Sequence, residues 1–210
     1  MINTYFVLEE GEQRGPFTMD ELTEMGLEIH TRLLSTTTNT WHDACDLPEF
    51  YEYFESIGIY FPTGDNFASF GWRLLAYAVD YVILSVLLNV VFKVLASYGI
   101  TFHLRSYNDF FKLPVTEILL LQLITSVTLI IYNSICEASV MRGSLGKRLC
   151  GLVVVDIEGM RLTYLNALLR SVGKALSIFL LYGGFLSILF SEHRQALHDY
   201  WANTYVVKRD

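Results

Sequence analysis

Apolar and polar positions follow two different rhythms along this chain. Near the N-terminus they come in short runs: Tyr5-Phe6-Val7-Leu8 reads as a strand, Glu9 to Glu12 as a polar turn carrying Gly11, and His30 to Thr36 as further short extended pieces. Between them, Thr18-Met19-Asp20-Glu21 sets a hydroxyl three residues ahead of a glutamate. That is a capping box, and it predicts a helix from Met19 to Met25 that stops at Gly26. Tyr51 to Pro62 is rich in aromatics and acids and fits either a last helix of this region or a linker lying at a membrane surface.

From Phe70 the rhythm changes. Leu74 to Phe92 is almost unbroken apolar sequence, and with the Lys93 stem and Val94–Ala96 it reaches the ~20 residues a helix needs to cross ~30 Å of hydrocarbon. Pro114 opens a second long helix through about Val140, and a third apolar stretch, Val172 to Phe190, is interrupted by Gly183-Gly184. Leu152 to Asp156 reads as a strand, and the tail from Ala202 holds another whose one evident partner is Leu152 to Ile157. That pairing favours a third helix that enters and leaves from one side rather than a full span. The fold expected is a small α+β cytoplasmic domain over residues 1–61, a linker over 62–69, and an α-helical transmembrane domain over 70–210. Its spans fall at about 73–96 and 115–139. A third helix at about 171–190 is broken and re-entrant or spanning, and a small cytoplasmic β element completes the domain.

Composition sharpens this division. The chain is 52% hydrophobic and 18% charged, too apolar for an ordinary soluble domain. Residues 1–67 hold 13 acids against 2 bases, while residues 68–210 hold 9 against 13. The acidic head excludes nucleic acid as a partner. No cleavable signal opens the chain, and the cations of Arg142, Lys147 and Arg148 mark the loop after the second span as cytoplasmic, which places the head there too. Cys45, Cys136 and Cys150 lie too far apart in sequence for zinc spacing and read as packing residues, so neither a metal nor a cofactor is expected.

The chemistry-bearing candidates are the ionisable residues inside the spans. Arg73 sits at the mouth of the first, and Asp80 follows seven residues later on nearly the same face. A carboxylate at that depth costs about 2–3 kcal/mol unless it is protonated, hydrated or paired. Asp80 therefore faces protein or water, either to carry an ion or to form a structural pair, with Arg73, Lys174 or Arg170 as cation. Gln122, Ser126, Asn133 and Glu137 share one face of the second helix. Lys147, Arg148, Arg142, Arg170 and Lys174 read as a basic collar that sets topology and meets anionic headgroups. His193 and His198 are five apart and match no metal pattern, and no nucleophile elbow, phosphate loop or dinucleotide fingerprint occurs, so an enzyme is not expected. The glycines at Gly143 and Gly146 are expected to precede a strand.

Two resemblances follow from these residues. The succession of Tyr5 to Leu8, Gly15-Pro16-Phe17, the helix, and Trp41 before Asp46-Leu47-Pro48-Glu49-Phe50 resembles the GYF-2 type of small α+β module. The resemblance implies an aromatic docking surface with Tyr5, Phe17 and Trp41 as candidates, although the same rings also suit a small core. No second G-Y-F tripeptide follows the helix, so it implies general protein docking rather than capture of proline-rich peptides. Farther on, Trp72-Arg73-Leu74-Leu75-Ala76 with Asp80, the run Gly143 to Asp156, and Leu197 to Thr204 resemble the RDD family of prokaryotic membrane proteins. Ser144 and Leu145 stand where that family commonly has Thr and Pro. The resemblance implies an inner-membrane, multi-pass protein and assigns the family's arginine and two aspartates to Arg73, Asp80 and Asp199. With Glu137 these are the ion-relay candidates. Two functions fit: a non-enzymatic subunit of a membrane assembly, contacting lipid and recruiting a protein partner through its head, or an oligomeric transporter or ion/proton exchanger.

Overall fold

The computed structural model of the protein describes residues 3–9, 11–99, 114–179 and 187–209. The stretch 101–113 between the two expected spans and the break expected at Gly183-Gly184 lie outside the described residues. The chain divides into two compact units, Met1–Phe61 and Pro62–Asp210.

The first unit is a four-stranded antiparallel sheet in the order β2-β1-β3-β4, with β1 Tyr5–Glu9, β2 Glu12–Phe17, β3 Arg32–Ser35 and β4 Trp41–Asp43. Gly15-Pro16-Phe17 closes β2. This is an edge strand, where a proline removes no ladder hydrogen bond. Helix α1, Met19–Glu24, starts at the expected capping box: the Glu21 amide donates to Thr18 Oγ1 at 3.3 Å and the Thr18 amide donates to Glu21 Oε2 at 2.7 Å. It ends where Gly26 takes φ +81°, a conformation open to glycine at little cost. Helix α2, Tyr51–Ser56, decides the open reading of the aromatic segment in favour of helix and buries Phe54 beside Tyr5, Leu22, Leu33 and Phe50.

In the second unit, α3 (Phe70–Ser97) and α4 (Val115–Ala138) have 28 and 24 residues, or about 42 and 36 Å. Both are long and apolar enough to cross a membrane, and their side chains are largely exposed along their length. No third helix meets that description among the described residues. After α4 come a short helix α5 (Leu145–Leu149), strand β5 (Leu152–Asp156), helix α6 (Tyr164–Phe179), a short helix α7 (Leu197–Trp201) and strand β6 (Thr204–Lys208). Where Gly143 to Gly146 were expected to lead straight into a strand, Ser144 caps α5, its Oγ accepting from the Lys147 amide at 3.4 Å.

The expected partnership of tail and post-span strand forms. β5 and β6 pair antiparallel with Leu152 opposite Lys208 and Asp156 opposite Thr204. The other edge of β6 meets the residues just ahead of α3: Phe67 bridges Val207, and the Ala68 amide donates to the Val206 carbonyl at 2.9 Å. The entry to α3, the exit from α4 and the chain's tail are thus tied into one small β element. Leu152, Val154 and Val206 bury against Ala68, Ala76, Leu162 and Ala167.

Candidate functional site

Beside this β element five helices deliver ionic side chains to one buried chain of contacts. Arg73, in the first turn of α3, places Nη1 2.5 Å from Asp199 Oδ2 on α7, while its Nε donates to the Ala68 carbonyl and its Nη2 to the Arg194 carbonyl. Asp199 is fully buried and accepts from Arg170 of α6, Nε at 2.9 Å and Nη2 at 2.5 Å, and from the Ala196 amide at 3.1 Å. The same guanidinium sets Nη1 2.7 Å from Oε1 of Glu137, at the end of α4. Oε1 also takes the ammonium groups of Lys147 (2.6 Å) and Lys174 (2.5 Å). Glu137 Oε2 is buried and accepts no hydrogen bond from the described residues. Arg170 therefore bridges two carboxylates on different elements, and four cations surround those two anions.

Taking such charges out of water costs several kcal/mol per ion, repaid only by close opposite charges and hydrogen bonds. Burial alone would push the Asp199 carboxyl up, but Arg170, His198 and Arg73 outweigh it and hold it well below the usual carboxylate range. Burial pushes the neighbouring His198 imidazole down to about 3, although Asp199, with its Oδ1 3.3 Å from Nε2, opposes the shift.

Asp80 stands apart from this network. Its Oδ1 accepts from the Gly146 amide at 2.8 Å and the Tyr132 hydroxyl at 3.1 Å, and its Oδ2 from the Ser144 hydroxyl at 2.5 Å. The carboxylate lies at the N-terminal end of α5, where backbone amides point outward. Gly146 permits the approach: a Cβ there would lie 2.8 Å from Asp80 Cγ, 2.9 Å from the Asp80 amide, and inside the Ala76 carbonyl.

The structural pair considered for Asp80, with Arg73, Lys174 or Arg170 as its cation, is replaced by two separate arrangements. Arg73 turns away from its own helix to Asp199, and Asp80 is met by neutral donors. The expected basic collar is likewise corrected: Lys147, Arg170 and Lys174 point inward to Glu137 rather than out to headgroups. Of the polar stripe on α4, Glu137 enters the network, Asn133 donates to its own Leu129 carbonyl, and Gln122 is exposed. Sequence reasoning missed Arg170 as the bridge and Ser144, Gly146 and Tyr132 as the ligands of Asp80. The one signal in the sequence was the pair of cations spaced i,i+4 on α6, Arg170 and Lys174, which fits a polar inner face.

In the head, Tyr5 is 2% exposed. Its ring packs edge-on against Phe50 and its hydroxyl donates to Glu49 at 2.8 Å, so its ring belongs to the core rather than to a docking surface. Phe17 packs against that core, and Trp41 is half-buried on β4. Folding also gathers His30, Asp43 and Cys45, whose ligand atoms lie within 4.8 Å of one another. A metal ion there would have to compete with Arg32, whose Nε is 3.6 Å from Asp43 Oδ1.

The charge network and Asp80 both lie in the part of the chain that comparison with known proteins identifies. The model of the RDD family matches residues 67–203. The uncharacterized protein YxaI of Bacillus subtilis (strain 168) is 33% identical over 147 residues, covering 67% of this chain and 96% of its own length. The uncharacterized protein YckC of the same organism is 28% identical over 156 residues, covering 71% of this chain and 87% of its own length. No solved structure gives a significant match. With Arg73, Asp80 and Asp199 inside the matched region, each held by its own set of donors or carboxylates, the chain belongs to the RDD family.

Proposed function

We propose that this protein is a non-enzymatic subunit of an inner-membrane assembly: the RDD unit is a rigid anchor, and the GYF-2-like head recruits a protein partner on the cytoplasmic side. The observation that carries the reading is Arg170, buried between Glu137 and Asp199. Arg73, Glu137 and Asp199 are each held by partners within the chain, as in a lock that fixes how α3, α4, α6 and α7 dock. An ion path needs groups that release what they bind. The head supports the recruiting role by forming a compact unit with its own core. Photocrosslinking residues placed at exposed head positions are expected to capture a discrete protein in cells, and proteoliposomes are expected to show no proton or Na⁺ flux above empty vesicles.

The neutral ligation of Asp80 favours a second reading, an ion or proton exchanger built from Arg73, Asp80 and Asp199. Two hydroxyls and a backbone amide hold Asp80, so among the described residues no ion pair has to break for the carboxylate to take up a cation. Two crossing helices enclose no pathway, so this reading requires an oligomer. Flux that Asp80→Asn abolishes would establish it and overturn the first.

A further inference from the structure

Helix α6 is amphipathic in the opposite sense to a helix on a soluble surface. Toward the rest of its unit it turns Ala167, Arg170, Ser171 and Ser177, all buried, together with Lys174, whose ammonium reaches Glu137. Away from it stand Leu165, Leu169, Val172 and Leu176, exposed by 63, 56, 49 and 45%. Their spacings of four, three and four residues make one continuous apolar stripe. A helix facing water puts its apolar stripe inward. Polar groups inside and apolar groups outside suit a helix whose outer solvent is hydrocarbon.

The path of the chain limits how deep this helix goes. β6 pairs with β5, which follows α4, and also bridges to Phe67, just ahead of α3. With α3 and α4 both crossing, these three pieces lie on one side, so the chain between β5 and β6 crosses an even number of times. Residues near β6 are tied to that side: the Arg194 guanidinium donates to the Phe67 carbonyl at 3.0 Å, and the Ser187 hydroxyl donates to the Gln195 carbonyl at 3.3 Å. A crossing by α6 would leave the whole return to residues 180–186. Seven residues reach at most ~25 Å when fully extended, short of ~30 Å of hydrocarbon. The 16 residues of α6 itself rise about 24 Å, also short of a crossing.

We propose that α6 is a membrane helix that does not cross: it enters the leaflet on the side of the β5–β6 element and sets Leu165, Leu169, Val172 and Leu176 against the acyl chains of bilayer lipid. α7, which packs on α6 where Gly173 meets His198, exposes Tyr200 and Trp201, residue types that settle at headgroup level. The Glu137–Arg170–Asp199 chain is what allows such a helix to hold ionic groups on its inner face while lipid covers the other.

The test uses the full chain in phosphatidylcholine–phosphatidylglycerol vesicles, with Cys45, Cys136 and Cys150 replaced by alanine and nitroxides attached to Leu165→Cys, Leu169→Cys or Leu176→Cys. Collisions with oxygen are expected to exceed those with a water-soluble nickel chelate at all three positions. Arg161→Cys and Ser191→Cys are expected to react with a membrane-impermeant maleimide from the same side as Gly64→Cys. Nickel collisions in excess would mean the stripe faces water, spin–spin broadening would mean a second copy covers it, and labelling of 161 and 191 from opposite sides would mean a third span. Each overturns the proposal. If the cysteine-free background does not fold, Leu169→Trp in the otherwise unaltered chain serves instead: quenching by brominated phospholipid beyond that of the parent is expected, and its absence overturns the proposal.

Discussion

Arg73 and Asp199 lie 126 positions apart and meet at 2.5 Å, joining the first turn of α3 to the short helix just ahead of the tail strand. This contact decides where the tail folds, because the same arginine also holds the Arg194 carbonyl and so fixes the segment leading into α7. Removing the cation leaves a buried carboxylate short of one partner. Arg73→Ala is expected to cost about 3 kcal/mol in detergent, the lower end for breaking a buried pair, because Arg170 still holds Asp199. Thermal unfolding of Arg73→Ala, Asp199→Asn and the double variant checks it, and the double variant is expected to lose less than the sum of the two.

Arg170→Gln is expected to be more damaging than either. It removes one cation from Glu137 and one from Asp199 at once, both fully buried, and leaves Lys147 and Lys174 on the first and Arg73 on the second. Loss of membrane-inserted protein, or a stability deficit beyond about 5 kcal/mol, is the expected outcome. Stability equal to that of the parent would show that Arg170 does not lock the helices.

Asp80 gives the contrary expectation. Asp80→Asn keeps an oxygen for the Gly146 amide, and the Ser144 hydroxyl can rotate to accept from the new amide group, so the cost is expected to stay below about 1.5 kcal/mol. Asp80→Leu leaves the Gly146 amide and two hydroxyls without their acceptor, at about 1–3 kcal/mol for each group that stays buried. Comparing denaturation midpoints of the two variants tests whether the site is held by shape and hydrogen bonding.

Gly146→Ala probes the same contact from the other side. A methyl group there collides with the Ala76 carbonyl and the Asp80 backbone, so α5 must move away from α3. A loss of about 1–3 kcal/mol is expected, and faster hydrogen exchange at the residue 146 amide would report that its bond to Asp80 has opened.

The buried His198 makes stability depend on pH. Its folded value of about 3 lies below the ordinary value of 6.5, so between these limits the unfolded chain binds more protons, and stability falls as pH drops, by up to about 1.4 kcal/mol per pH unit. Asp199, depressed in the folded state, adds a loss of the same sign at pH values below its ordinary 3.8. Melting temperatures measured from pH 7 to pH 4 are expected to decline, and His198→Gln is expected to flatten the decline above pH 4.

What the sequence determined by itself was everything carried by near neighbours or by gross hydropathy. The Thr18–Glu21 capping box, the stop at Gly26, the two long apolar helices and the β character of Leu152 to Asp156 and of the tail depend on residues a few positions apart. The two strands found each other on paper because each lacked any other partner. Tertiary structure decided what the charges do. From spacing, Arg73 belonged with Asp80, since both lie on nearly one face of one helix; in the fold a guanidinium on a long stem swings off that face to a carboxylate brought close by β6. Arg170 and Lys174 fitted either a surface collar or a pair with Asp80, and the packing of α6 beside α4 set them on Glu137 instead. The Gly143-Ser144-Leu145-Gly146 run gave no sign that Ser144 and Gly146 ligate Asp80, 64 and 66 positions away. Local propensity acts over one or two turns of chain, whereas an ion pair forms wherever burial leaves a charge no water and the fold supplies its opposite.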